Sequence, residues 1–112
     1  MGFEVVHVGI NSADADTAMD IAEAFQNAFD FTVKPGNSSN FAGTGVEVMK
    51  SQYLGTNGHI AVRTNSMAVA IGELEKRGFE VDMSTAKYKG DRLHAVYLKN
   101  EIGGFAVHLL QK

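Results

Sequence analysis

Three histidines and one glutamate stand in short apolar segments of the sequence, where each could present a metal-binding atom. They are His7, Glu47, His59 and His108. Neutral imidazole and carboxylate ligands together suit a borderline divalent ion such as zinc, nickel, cobalt, manganese or iron(II). The sequence contains no cysteine, so thiolate ligands and disulfide bonds are excluded. These residue types predict a divalent metal site.

Each of these residues also has an ordinary structural interpretation. A single histidine in a strand is more often a hydrogen-bonded, partly buried side chain than a ligand. A glutamate between two valines is equally typical of a strand face exposed to water. Taken one at a time, the four residues therefore carry little weight, and the metal site depends on their arrangement.

That arrangement is an internal repeat. Residues 7–10 (His-Val-Gly-Ile) correspond to residues 59–62 (His-Ile-Ala-Val), and residues 46–49 (Val-Glu-Val-Met) correspond to residues 107–110 (Val-His-Leu-Leu). The repeat pairs the first two candidate histidines with each other, and the glutamate with the third. Because repeated units occupy matched places in a fold, this pairing favours a shared metal site over four unrelated side chains.

The spacing of apolar residues assigns the same order of elements to both halves. In the first half we predict a strand, a helix and three strands at residues 4–10, 16–30, 31–33, 40–42 and 46–49. In the second half the same elements are predicted at residues 59–63, 66–77, 79–83, 93–98 and 105–110. The predicted fold class is α+β, with two βαβββ modules, residues 1–51 and 58–112, forming a curved mixed sheet around a metal-site cavity.

Composition limits the partners. A chain of 112 residues with 45% hydrophobic residues is enough for one domain and its core. It has neither an apolar run of the roughly 20 residues that a membrane helix needs nor a secretory start. With no cysteine, a net charge of −3 and no basic stripe, we expect a cytoplasmic protein that binds a small molecule and neither membrane nor nucleic acid.

Four segments together resemble the vicinal oxygen chelate superfamily, which includes glyoxalase I, methylmalonyl-CoA epimerase, fosfomycin-resistance enzymes, extradiol dioxygenases and bleomycin-binding proteins. The segments are residues 7–11 (His-Val-Gly-Ile-Asn), 45–49 (Gly-Val-Glu-Val-Met), 58–62 (Gly-His-Ile-Ala-Val) and 101–109 (Glu-Ile-Gly-Gly-Phe-Ala-Val-His-Leu). The resemblance covers nearly the whole chain and implies a single glyoxalase-like domain. Glyoxalase-like members supply His or Gln, Glu, His and Glu, in that order, from the four corresponding strands.

The resemblance implies a role for each candidate ligand. His7, Glu47 and His59 match the first three ligands of the glyoxalase pattern. His108 stands where the pattern has Glu, and residues 101–104 replace its Asp-Pro-x-Gly turn. Glu47 is therefore the single carboxylate among the implied ligands, and the single ligand able to act as a general base.

Two functions follow from the resemblance. One is a metal-dependent lyase or isomerase acting on a small oxygen-rich metabolite such as an α-oxoaldehyde, a keto acid or a sugar acid. The other is a non-catalytic ligand-binding or accessory module, because the chain is also similar to a module appended to keto-deoxy-sugar-acid phosphate aldolases. A homodimer is implied, since short two-module members often form their cavity across a subunit interface.

Other polar residues are expected to have smaller roles. Asn11 and Arg63 share strand faces with the candidate histidines and are predicted to bind substrate, although an arginine near a strand end is also typical of a solvated surface charge. His94 has no counterpart in the repeat and is interpreted as structural. The phenylalanines at apolar spacing are interpreted as core residues: Phe25, Phe29, Phe41 and Phe105.

Overall fold

The two halves of the chain fold into the same order of elements. The computed structural model describes residues 2–112. The first half contains β1 (Phe3–Ile10), α1 (Ala15–Phe29), β2 (Val33–Pro35), β3 (Ser39–Ala42) and β4 (Val46–Met49). The second half contains β5 (Gly58–Thr64), α2 (Met67–Lys76), β6 (Val81–Lys89), β7 (Arg92–Leu98) and β8 (Phe105–Gln111). The predicted α+β class with two βαβββ units is confirmed.

All eight strands form one curved mixed sheet in the order β2-β3-β4-β1-β5-β8-β7-β6. The halves join at its centre, where β1 and β5 run antiparallel. Each of these central strands has a parallel partner on its outer side, β4 for β1 and β8 for β5. The register repeats as well, because Glu47 lies opposite Gly9 and His108 lies opposite Ala61. The repeat in the sequence is therefore a repeat of sheet positions.

Both helices begin at side chains that cap them. The carboxylate of Asp14 accepts a hydrogen bond of 2.7 Å from the backbone N–H of Thr17 at the start of α1. The hydroxyl of Ser66 accepts one of 3.3 Å from the N–H of Val69 at the start of α2. Such caps satisfy N–H groups that have no partner inside the helix. Within residues 2–112, neither helix is long and apolar enough to cross a lipid bilayer.

Each helix covers its own half of one face of the sheet. Under α1 the buried residues are Ala18, Ala22, Ala42 and Val48. Under α2 they are Met67, Ala70, Val96 and Leu109. Because neighbouring side chains of a strand point to opposite faces, Glu47 and His108 lie on the face that the helices leave open. The core thus fixes which side of the sheet carries the candidate ligands.

Several predicted boundaries were wrong. The second strand was predicted at residues 31–33 but lies at Val33–Pro35, where proline is tolerated because β2 is an edge strand. The strand predicted at 79–83 extends to Lys89, because it pairs with β7 through a tight hairpin. Phe29, predicted in the core, is 64% exposed. It ends α1 beside Phe31, with ring centroids 5.6 Å apart, beyond the reach of the sheet.

One buried side chain leads to a prediction about stability. Asn40 of β3 is fully buried on the face that packs against α1, and no group within residues 2–112 hydrogen-bonds its amide. A buried amide without a partner costs about 1–3 kcal/mol. We expect Asn40→Val to raise the free energy of unfolding by about 1 kcal/mol in urea titration, since valine also suits a strand. Asn40→Asp should lower it, and a valine variant less stable than wild type would contradict this account.

Candidate metal centre

Three candidate ligands converge on the open face of the sheet. The Nε2 atoms of His7 and His59 lie 3.2 Å apart. The Oε1 atom of Glu47 lies 3.3 Å from the former and 3.1 Å from the latter. The three side chains come from adjacent strands in the order β4, β1, β5. All three belong to one chain, so the group forms without a second subunit.

Gly9 allows this convergence. It lies opposite both Glu47 on β4 and His59 on β5. A Cβ atom built at Gly9 would lie 2.0 Å from the Cε1 atom of His59, far inside contact distance. The missing side chain therefore lets the His59 imidazole lie across β1 and reach Glu47. At the equivalent position of the second half, Ala61 carries a methyl group, so this gap exists on one side of the centre only.

The Glu47 carboxylate is held from both of its oxygens. Oε1 faces the two imidazoles, while Oε2 accepts a hydrogen bond of 2.6 Å from the Ser39 hydroxyl of β3. The hydrogen bonds from His59, then His7, lower the pKa of Glu47 far below its usual range, against the opposing effect of burial. The carboxylate is therefore ionised at any physiological pH, and it supplies the one negative charge of the group.

His108 lies outside the group of three. Its ring stacks on Tyr97 with centroids 4.2 Å apart and an angle of 4° between the planes, and its centroid is 6.2 Å from that of His59. Burial lowers the pKa of His108 to about 4, so the imidazole is neutral at physiological pH. Burial also raises the pKa of Tyr97, which keeps its hydroxyl protonated. The pair forms an uncharged wall beside the three converging side chains.

The two predicted substrate-binding residues are engaged elsewhere. The side-chain amide of Asn11 donates to the backbone carbonyls of Tyr53 and Gly55, at 3.2 and 3.0 Å. It thereby fastens the segment between the two halves. Arg63 forms an ion pair with Glu4, its neighbour across the β1–β5 pair. It lies four residues along β5 from His59, a distance of roughly 13 Å. These contacts engage both side chains, and the substrate-binding role of the two residues stays a prediction.

Sequence reasoning missed two residues that shape the centre, Ser39 and Tyr97, whereas it placed the small Gly9 beside the imidazole of His7. Ser39 precedes the strand predicted at 40–42, yet it shares a face with Phe41, whose ring meets His7 at a centroid distance of 5.6 Å. Tyr97 lies directly opposite His108 in the register of β7 and β8. Knowledge of the strand pairing would have found both residues, because cross-strand neighbours on one face touch.

The chemistry and spacing of these atoms fit a divalent ion. Metal bonds to imidazole nitrogen and carboxylate oxygen are about 2.0–2.2 Å long, so one ion can contact three donors that lie about 3 Å from one another. His7, Glu47 and His59 are the three residues whose donor atoms are this close within residues 2–112. The Nδ1 atom of His59 is buried and lacks a partner among the same residues. The His-Glu-His group could hold a metal ion.

Comparison with known proteins supports the fold. No protein-family model and no curated protein sequence matches the chain. A hypothetical protein from Bacillus halodurans C-125 has a TM-score of 0.65 at 12% identity, covering 100% of this chain and 96% of that chain. Methylmalonyl-CoA epimerase from Mycobacterium tuberculosis gives 0.60 at 16% identity, over 96% and 86% of the two chains. A Streptomyces coelicolor methylmalonyl-CoA epimerase, in complex with 2-nitronate-propionyl-CoA, gives 0.62 at 14%, over 97% and 94%. The chain therefore shares the fold of an isomerase that the sequence resemblance named.

The close approach at Gly9 yields a prediction for metal binding. In Gly9→Ala the new methyl group must displace the His59 ring from Glu47, so we expect the affinity for zinc or nickel to fall at least about tenfold. Titration calorimetry on the metal-free protein measures this directly. Gly45→Ala is the matched control, because a Cβ at Gly45 meets nothing within 4 Å. Equal affinity in both variants would show that His59 is not a ligand in this position.

The pKa of His108 yields a prediction for acid stability. Unfolded imidazole titrates near pH 6.5, so the unfolded chain binds this proton at a higher pH than the folded chain does. Its contribution to stability is therefore present above about pH 6.5 and is lost as the pH falls toward 4. We expect His108→Phe, which keeps a ring against Tyr97, to lose less stability than wild type between about pH 7 and pH 5. Urea unfolding of metal-free protein tests this, and equal losses would contradict it.

Proposed function

We propose that the protein is a metal-dependent isomerase or lyase of the glyoxalase type, acting on a small oxygen-rich metabolite. The observation that carries this proposal is the convergence of His7, Glu47 and His59 on the open face of a fold that methylmalonyl-CoA epimerases share. An imidazole pair with one carboxylate suits zinc, nickel, cobalt, manganese or iron(II). A bound ion of this kind polarises a substrate carbonyl and so makes the adjacent C–H group more acidic.

We assign the ligands as His7, Glu47 and His59, and we place His108 in the wall of the same site. Both histidines present Nε2 to the centre, and Ser39 fixes the orientation of the carboxylate through Oε2. The neutral His108 stacked on Tyr97 faces the side of the centre on which His59 lies. After the two assigned ligands, His108 is the imidazole closest to a substrate bound at the centre.

Glu47 is the candidate base, but its low pKa limits how well it can act as one. A carboxylate whose pKa is strongly lowered is a weak base, because a general base works best with a pKa near the operating pH. Glu47 must therefore lose the hydrogen bond from His59 before it can take a proton efficiently. His59 would not donate through Nε2 while that atom bound a cation, but the cation would itself keep the Glu47 carboxylate ionised, so Glu47 could act as a base only through an oxygen that is not bound to the ion.

The space for a substrate lies in the second half of the molecule. A cavity of about 430 Å³ adjoins the centre, with Tyr97 and His108 in its wall and Tyr53 and Leu54 at its rim. This volume is within the range of small-molecule sites. We propose an α-oxoaldehyde, keto acid or sugar acid as substrate. Methylmalonyl-CoA belongs in the same screen, because one structural neighbour is an epimerase in complex with it.

A non-catalytic ligand-binding or accessory module, related to keto-deoxy-sugar-acid aldolases, is the second candidate. One observation favours it. The hydrogen bonds from His59, then His7, hold the pKa of Glu47 far below its usual range, and a carboxylate with so low a pKa suits a ligand better than a general base. Such a module would use the same cavity to hold a metabolite without turnover. The homodimer and the cytoplasmic location remain predictions under either function.

The decisive prediction concerns Glu47. Glu47→Gln keeps the shape of the side chain and a carbonyl oxygen but removes its basicity. We expect turnover of the substrate found in the screen to fall roughly a hundredfold or more, the usual effect of a general base. Metal affinity should fall less than in His59→Ala, because one oxygen ligand remains. Metal titration and turnover are measured on the same preparations, with His108→Phe as the comparison variant.

Each outcome separates the assignments. If Glu47→Gln turns over substrate as fast as wild type and His108→Phe is inactive, the general base is His108. Tight binding of metal and metabolite by wild type, with no turnover of any compound in the screen, would establish the accessory module instead. Failure to bind any of the five metals would overturn the metal centre itself.

A further inference from the structure

A second cavity adjoins the one beside the metal centre. It has a volume of about 240 Å³ and is lined by Lys89, Arg92, Leu93, His94, Gln111 and Lys112. His94 lines both cavities. It lies in a bulge of β7. Lys87 pairs with Ala95 and the next residue, Tyr88, pairs with Leu93, so His94 has no partner on β6. A bulge redirects a side chain, and here it places a half-buried imidazole at the boundary between the two spaces.

The hairpin that ends β6 and begins β7 is rich in uncompensated positive charge. Lys87, Lys89 and Arg92 are exposed, and none forms an ion pair within the part of the chain that is described. The turn contributes one carboxylate, Asp91, so the hairpin carries three cations and one anion, a net excess of two positive charges. We call Lys87, Lys89 and Arg92, together with His94, the basic hairpin.

Two of these charges lie in an unfavourable arrangement. Lys89 and Arg92 are direct cross-strand partners, joined by the two-residue turn at Gly90 and Asp91. Like charges directly opposite each other in a sheet are destabilising. The chain carries a net charge of −3 overall, so this local excess of positive charge is opposite in sign to the whole. An anion bound between the two side chains would relieve their repulsion.

We propose that the basic hairpin binds the phosphate group of a phosphate ester, and that this group is the distal end of the substrate. A phosphate monoester carries between one and two negative charges and three acceptor oxygens, which suits several cations. The planar donor group of Arg92 matches phosphate oxygens, and Lys89 adds a point charge beside it. A phosphate dianion would balance the net excess of two positive charges, whereas a single carboxylate would leave half of it uncompensated.

The position of the hairpin defines the length of such a substrate. This inference rests on the proposed function, because it assumes that the other end of the substrate binds at the metal centre. His108 lies opposite Tyr97, and Arg92 is five residues further along β7. At about 3.3 Å per residue, and allowing for the bulge, the phosphate lies roughly 15 Å from the wall of the metal centre. The cavity beside the centre and the basic cavity share His94 in their walls, and a substrate of this length would occupy both. The substrate is therefore elongated, with oxygens at one end and phosphate at the other.

The test uses pyrophosphate and metal-free protein, so it is independent of the metal centre. The full chain is freed of metal with a chelator, dialysed and titrated with pyrophosphate in a calorimeter. Lys89→Ser/Arg92→Ser is compared with wild type and with Lys34→Ser/Lys76→Ser, which removes the same charge elsewhere. We expect saturable binding that weakens at least about tenfold in the hairpin variant, which loses two charge-assisted contacts, and by less than about twofold in the control.

Two further measurements complete the test. Amide chemical shifts of wild type should change on pyrophosphate addition within residues 87–94, which locates the site even if the hairpin variant fails to fold. Malonate, a dicarboxylate, should bind at least about tenfold more weakly than pyrophosphate, because it lacks the third oxygen of each charged group. The proposal is overturned by absence of pyrophosphate binding, by equal losses in the two variants, by shifts spread over all lysines, or by equal binding of malonate. None of these results alters the metal titration, so a failure here is distinguishable from a failure of the proposed function.

Discussion

The candidate centre depends on one contact, in which a single carboxylate oxygen of Glu47 faces two imidazoles. His7 and His59 lie on adjacent strands, and the carboxylate comes from a third. Three polar side chains can approach to about 3 Å in a sheet only if nothing stands between them. Gly9 meets that condition, because it is the residue that faces both Glu47 and His59 in the register. The close geometry of the three candidate ligands follows from this one gap.

The two halves of the fold are equivalent, but their side chains are arranged differently at the candidate centre. The two halves place His7 and His59, and likewise Glu47 and His108, at equivalent sheet positions. Yet Gly9 and Ala61 differ by one methyl group, and the fourth side chain is stacked on Tyr97 away from the group of three. A symmetric sheet thus carries an asymmetric centre, with the ligands drawn toward the first half. The cavity beside the centre lies in the second half, where an incoming molecule meets the neutral pair of Tyr97 and His108.

Most of the fold could be predicted from the sequence. The repeat, the helix caps and the apolar periodicity are carried by short segments of sequence, and they indicated the class, the order of elements and the meeting of four candidate ligands, of which three converge. The bounds of β2 and β6 could not be predicted, because an edge strand with proline and a bulged hairpin depend on pairing with a neighbour. The position of His108, the role of Ser39 and the engagement of Asn11 and Arg63 depend on contacts between distant segments. No residue type or spacing encodes such contacts.

The electrostatics of the two cavities point to one kind of ligand. Glu47 is ionised and is the single carboxylate of the centre, while His108 and Tyr97 are held neutral by burial. A divalent cation bound there would leave one uncompensated positive charge, which a negatively charged oxygen of a substrate can neutralise. The basic hairpin adds positive charge at the second cavity, whose wall shares His94 with the first. With the cation bound, the centre and the basic hairpin would be two positive regions on either side of the uncharged wall. This arrangement would favour a molecule with an anionic group at each end, because each anionic group would replace its hydrating water with charged or polar groups of the protein.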